Sequence, residues 1–208
     1  YFGVTVSLIG YGAGIMLKKK FKYAFLNPLL ISIIFVIGVV MLCGVDYESY
    51  ENSAQYLSYL LTPATVCLAV PLYQQMTLLK KNLAAVACGI LAGVLASLGS
   101  VLLLAFLFGL EHDVYVTLLP KSITTAIGMG VSEELNGIVT ITVAVIIITG
   151  VVGNVLADFV YKLFHVTHPV AKGVGLGTSA HAIGTAKALE MGEIEGAMGG
   201  LSIAVAGI

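Results

Sequence analysis

Residues 83–109 read LAAVACGILAGVLASLGSVLLLAFLFG, an apolar run without one charged side chain. A helix that crosses a bilayer needs about 20 mostly apolar residues, so this stretch is long enough to cross unaided. Working outward from it, similar runs occupy 2–17, 29–45 and 137–164. Three more stretches, 55–75, 114–132 and 170–190, are apolar but interrupted by proline, glycine and hydroxyl residues, and a last begins near Ala197. The expected fold is therefore an all-α polytopic membrane protein with about 7–8 membrane segments.

Composition excludes the soluble alternative. Hydrophobic residues make up 59% of the chain and charged residues 10%, with a mean hydropathy of +1.03. A soluble domain carries about a quarter charged residues, so too little polar side chain is present to cover a water-facing surface. A net charge of −1 gives no basic face for nucleic acid. Every basic residue is lysine, so an anion site must use lysine, hydroxyls, histidine or helix N-termini rather than a guanidinium fork. Cys43, Cys67 and Cys88 are isolated in apolar runs and match no metal-binding spacing; they read as buried or lipid-facing thiols. Neither a metal nor a cofactor is expected. No nucleophile–base pair is apparent, which argues against an enzyme.

The sequence opens at Tyr1 without an initiator Met and closes at Ile208 inside an apolar run, so both ends are expected to continue. Lys18, Lys19, Lys20 and Lys22 follow the first apolar stretch, the reverse of a signal peptide, whose charges come first. Lysines mark cytoplasmic loops: Lys18 to Lys22, Lys80 with Lys81, and Lys162 with Lys172. Asp46, Glu48, Glu51, Glu111 and Asp113 fall in the opposite loops. These placements agree if 114–132 enters and leaves on one side; if it crosses, Lys162 and Lys172 fall outside. The re-entrant alternative makes one membrane domain over 1–208, with a leading helix and lysine loop (1–25), a first repeat (26–110), a re-entrant or broken segment (114–134) and a second repeat (137–208). The repeats are inverted three-helix units, with 55–75 and 170–190 as corresponding interrupted members. In secondary transporters such a pair points to the binding site.

Three segments carry chemistry. In Leu61–Tyr73, Pro63 and Pro71 remove backbone donors, and Thr62 and Thr65 either satisfy the freed groups or face a ligand; a plain proline kink is the alternative. In Leu119–Glu134, Lys121 precedes the hydroxyls Ser122, Thr124 and Thr125, a combination suited to an anion at a half-helix N-terminus. Those hydroxyls can also serve only their own helix. Glu133 and Glu134 close the segment, as proton-coupling groups or as a solvated end. In Gly173–Lys187, the glycines permit close approach of a helix or a ligand, and Thr178, Ser179, Gly184 and Thr185 are candidate binding residues. His181 and Lys187 are ionisable at membrane depth, which marks functional candidates. His181 is suited to take up and release a proton, or else bonds to a neighbouring helix as a neutral ring. Asp158 and Lys162, four apart near a helix end, read as a surface pair.

Leu26-Asn27-Pro28-Leu29, Thr62-Pro63-Ala64-Thr65, Val70-Pro71-Leu72-Tyr73, Leu119-Pro120-Lys121-Ser122, Ser132-Glu133-Glu134 and Ser179-Ala180-His181-Ala182-Ile183-Gly184-Thr185-Ala186 occur in an order that resembles the LrgB/CidB family over nearly the whole chain. The chain departs from that pattern at Ala126, where proline is expected, and at Asn154 and Asp158. The resemblance implies two roles. Bacterial members are described as holin- or antiholin-like proteins that act with a small LrgA/CidA membrane partner on murein hydrolase activity and autolysis. Related members, including the plastid glycolate/glycerate translocator, move small carboxylates. The leading expectation is a proton-coupled carrier of small monocarboxylates (pyruvate, glycolate or lactate class) in the bacterial plasma membrane, with the lipid bilayer and an LrgA-like protein as partners and a homo-oligomer compatible with it. The rival is an antiholin-like regulator without transport of its own.

Overall fold

The computed structural model describes residues 2–21, 28–60, 63, 66–67 and 69–207. Thr62 and Thr65, like Asn27, lie outside these residues. The chain divides into two compact units, Tyr1–Cys67 and Leu68–Ile208.

The first unit holds α1 (Phe2–Phe21), α2 (Pro28–Cys43), α3 (Tyr47–Ala54) and a 3-10 turn over Gln55–Leu60. Its contacts run along one side of α1, where Gly3, Val6, Gly10 and Gly14 are buried at helical spacing. A side chain at Gly14 would strike the backbone of Pro28, and one at Gly10 would strike Phe35, so the bare glycine face lets α2 approach closely. Ser53 Oγ accepts from the Gly3 amide at 2.8 Å, and Ser7 and Tyr50 share a hydroxyl bond of 2.8 Å. Asp46 caps α3 by accepting from the Glu48 amide.

In the second unit come α4 (Ala69–Gln74), α5 (Met76–Lys81), α6 (Leu83–Phe108), α7 (His112–Leu118), α8 (Thr125–Glu134), α9 (Val139–Leu163), α10 (Pro169–Met191) and α11 (Glu193–Ala206). Within the 55–75 stretch, Gln55–Leu60 form the 3-10 turn and Ala69–Gln74 form α4, which contains Pro71. Among the described residues, α6 and α9 are long and apolar enough to cross a membrane, with mean hydropathies of 2.5 and 2.4. Only 17% and 22% of these apolar windows are buried inside the protein. A core helix of a soluble domain would be mostly covered, so these faces are built for lipid. Leu91, Leu95, Leu102, Phe106, Ile148 and Phe159 all point outward, as do Cys43, Cys67 and Cys88. The protein is a membrane protein.

The sequence predicts an interrupted segment over 170–190 that crosses as one member of the second repeat. The interruption falls at Ala180–His181, where the backbone leaves helical geometry (His181 φ 42, ψ −137), but α10 reverses direction there instead of continuing. Residues eight apart on a straight helix lie about 12 Å from each other. Here a Cβ at Gly184 would come within 2.5 Å of the Leu176 carbonyl, and Ala188 packs with Leu176 in one apolar cluster. The neighbouring α9 reports the same reversal. Up to the break, Tyr161 donates to the Lys172 carbonyl and Gly153 faces Ala180; beyond it, Asn154 donates to Ile183 and Asp158 pairs with Lys187. The first limb (169–180) therefore runs antiparallel to α9 and the second (182–191) runs back alongside it. α11 follows the first limb, with Gly173 against the Glu195 backbone and Gly177 2.5 Å from the Gly199 carbonyl. α6 does so too, with Gly89 against Val174 and Gly93 against Thr178.

Residues 112–134 form a second hairpin from the opposite end. At about 10 and 15 Å, α7 and α8 are each too short to cross a core about 30 Å thick. They are joined through 119–124, and α8 returns along α9, Gly128 meeting Ile146 and Ser132 meeting Thr142. A buried hydroxyl chain braces the open end of this hairpin. The Thr142 hydroxyl lies 2.9 Å from the Thr117 carbonyl and shares a hydroxyl bond of 2.7 Å with Ser132, and the Thr117 hydroxyl accepts from the Ile138 amide while donating to the Asp113 carbonyl. Thr142→Val keeps the shape and strands two buried partners, each costing about 1–3 kcal/mol. A lower unfolding temperature of the purified variant in detergent is the expected result; an unchanged one would remove the brace.

Candidate functional site

The tips of the two hairpins sit at the depth of the middle of the crossing helices. Ser97 lies roughly 21 Å from the start of α6 and 17 Å from its end, and it faces the tip of the 112–134 hairpin. At that tip, Pro120 cannot continue α7, and Lys121 and Ile123 make turn bonds to Leu118 and Pro120. Thr124 then opens α8 in extended geometry. Non-helical backbone at such depth is tolerated only where protein or a polar cavity surrounds it.

The Lys121 ammonium donates to Ser97 Oγ at 3.2 Å and to Ser122 Oγ at 3.1 Å, and Ser97 donates to Ser122 at 2.9 Å. Counting donors is informative. Lys121 has three N–H groups and uses two; Ser122 accepts twice, and its own O–H has no acceptor among the described residues. No carboxylate among the described residues pairs with Lys121. Beside this triad is a cavity of about 270 Å³ lined by Ser97, Ser122, Thr178, Leu98, Pro120 and Gly207, among others. That is below the roughly 300–1,000 Å³ that holds a drug-sized ligand. Thr178 donates to the Val174 carbonyl at 2.9 Å, which leaves its oxygen to accept from the cavity. The arrangement offers an anion the Ser122 hydroxyl at the cavity wall and the Lys121 Nζ bonded to it.

The other predicted residues disperse. Thr124 and Thr125 begin α8 at the same tip, so its N-terminal amides point into mid-depth. Ser179 is exposed and bonds to its own helix at Gly175. Gly184 is the close approach between the two limbs of α10. Thr185 is fully buried against Gly199, with no hydrogen-bond partner for its hydroxyl. Glu133 and Glu134 are exposed at the far end of α8. Pro63 belongs to the first unit and Pro71 to the second.

His181 sits at the opposing tip, buried, with Nε2 2.9 Å from the Ile146 carbonyl. A carbonyl only accepts, so Nε2 carries the hydrogen. The ring fits because a Cβ at Gly150 would lie 2.6 Å from Nε2.

The LrgB-like family profile matches residues 7–208. Antiholin-like protein LrgB from Bacillus mycoides (strain KBAB4) is 38% identical over 209 residues, covering 100% of this chain and 91% of that protein. The proteins of the same name from Bacillus cereus (strain B4264) and Bacillus anthracis (strain CDC 684 / NRRL 3495) match to the same extent. The chain belongs to the LrgB family. No solved structure matches it.

Two features of this LrgB-family chain escape a reading of its motifs. Ser97 completes the lysine site; its one trace in the sequence is a hydroxyl amid the apolar 83–109 run. Asp158 pairs with Lys187 at 2.9 Å, not with Lys162 as the four-residue spacing predicts, because the returning limb of α10 brings Lys187 over it. With Asn154 bonded to Ile183, Asn154 and Asp158 together hold the returning limb to α9.

Proposed function

We propose that this LrgB-family protein is a multi-pass carrier of small monocarboxylates in the bacterial plasma membrane, with 112–134 and 169–191 as re-entrant segments. The observation that carries the proposal is Lys121 Nζ, without a carboxylate partner among the described residues, bonded to Ser97 and Ser122 where two opposed hairpin tips meet. One carboxylate oxygen takes the remaining Lys121 N–H and the other the Ser122 O–H; the Thr178 oxygen suits a hydroxyl on the neighbouring carbon. The basic end of the unit, with Lys80, Lys81, Lys162 and Lys172, faces the cytoplasm, following the excess of lysine in inner loops. Transport is coupled to protons, and an LrgA-like membrane protein is the partner.

Uptake of labelled pyruvate, glycolate and lactate into vesicles containing the purified protein tests this. Ser122→Ala removes one hydrogen bond to the charged carboxylate, about 1.5 kcal/mol, so a roughly tenfold weaker apparent affinity is expected. Wild-type vesicles that accumulate none of the three acids would overturn the carrier.

The name of the Bacillus relatives supports a second reading, an antiholin-like regulator of murein hydrolase activity and autolysis without transport. Under that reading, Lys121 and Ser122 variants leave autolysis unchanged while changes on the protein's outer faces alter it.

A further inference from the structure

We infer that Lys121 is the proton carrier of this protein, and that its ammonium charge and the carboxylate enter the site together. The inference rests on the carrier reading above and deepens it. An isolated charge at membrane depth is expensive, and it is stabilised by a counter-charge or removed by losing its proton. Among the described residues, no side chain supplies the counter-charge. Among the groups around Lys121, α6 contributes Ser97 and has no ionisable carboxylate, lysine or histidine between Leu83 and Phe108. From α10 comes Thr178, and from α11 Ala206 and Gly207. The charged residues of α7 and α8 (His112, Asp113, Glu133, Glu134) lie at the open end of their hairpin, and Glu193 and Glu195 lie at the opposite end of α11.

A neutral amine accepts the Ser97 or Ser122 hydroxyl as readily as an ammonium donates to it, so the triad holds in either state. When a monocarboxylate arrives, a proton from water bonds to Nζ and the resulting ammonium faces the anion. The pair that then crosses is electrically neutral. When the anion leaves, the proton leaves with it. His181 plays a different part. Its Nε2–H is committed to the Ile146 carbonyl, and its ring is wedged against Gly150. It clasps the tip of the α10 hairpin to α9.

The test is calorimetric titration of the full chain in detergent at pH 7.5 with pyruvate, glycolate and lactate, in two buffers of different ionisation enthalpy. The difference reports protons taken up per ligand bound. Wild type is expected to take up about one proton. Lys121→Arg, whose guanidinium stays charged, is expected to bind the same acid with no proton uptake. His181→Gln is expected to retain the uptake. Should the arginine variant misfold, any binding kept by Lys121→Gln is expected to be free of uptake. Wild-type binding without proton uptake overturns this inference and spares the carrier, as does uptake that survives in Lys121→Arg or vanishes in His181→Gln. Failure of the wild type to bind any of the three acids overturns both.

Discussion

Replacing Lys121 by glutamine is expected to lower monocarboxylate uptake at least about a hundredfold while the protein still folds. Removing one partner of a buried ion pair costs about 3–5 kcal/mol, because the remaining charge stays desolvated and uncompensated; each 1.4 kcal/mol is about a factor of ten. Glutamine is one atom shorter but keeps two N–H donors beside Ser97 and Ser122, so the chief loss is the charge. The contrast with Ser122→Ala is the useful part. The hydroxyl contributes one hydrogen bond from a neutral donor, whereas Lys121 is the positive group bonded to the cavity-lining serines, and the two effects should differ by about tenfold. Initial uptake rates over a range of substrate concentrations measure this. Equal losses in both variants would mean that the triad acts through packing alone.

The second large effect is structural. Gly177→Val places a branched side chain where a Cβ already lies 2.5 Å from the Gly199 carbonyl and 2.7 Å from Ser202 Cβ. Backbone cannot swing aside as a flexible side chain can, so α11 must move off the first limb of α10. The expected loss is about 3 kcal/mol, the upper end of the range for overpacking, because this helix pair makes the most extensive contact in the protein. Gly99→Val is the matched control: nothing lies within 4 Å of that position on α6, and lipid accepts the added methyls. Thermal unfolding of both variants in detergent decides the point. A Gly177→Val protein as stable as Gly99→Val would show that the close approach is not what holds the pair together.

The division between what the chain states locally and what it states only in three dimensions is clear at particular residues. Length and hydropathy made α6 and α9 legible, because nothing but a lipid-facing helix suits 26 and 25 residues of that composition. Pro120 marked the break in 112–134 because it cannot donate to the preceding turn. The family was legible in the order of its motifs, and Lys121 with Ser122 in their spacing. The reversal at Ala180–His181 was not, since neither residue is a helix breaker and 23 residues from Pro169 to Met191 have the length of a single span. It follows from contacts remote in sequence: Gly150 and Gly153 receive the tip, Asn154 and Asp158 hold the returning limb, and Gly184 lets it lie against Leu176. Ser97 likewise acquires meaning only through Lys121, 24 residues away. The sequence by itself determined that this protein lives in a membrane and which residue types its site uses, since solvation depends on local composition. Only the tertiary structure decided which segments turn back and which hydroxyls meet the lysine, because those are pairings between surfaces that no single stretch of chain contains.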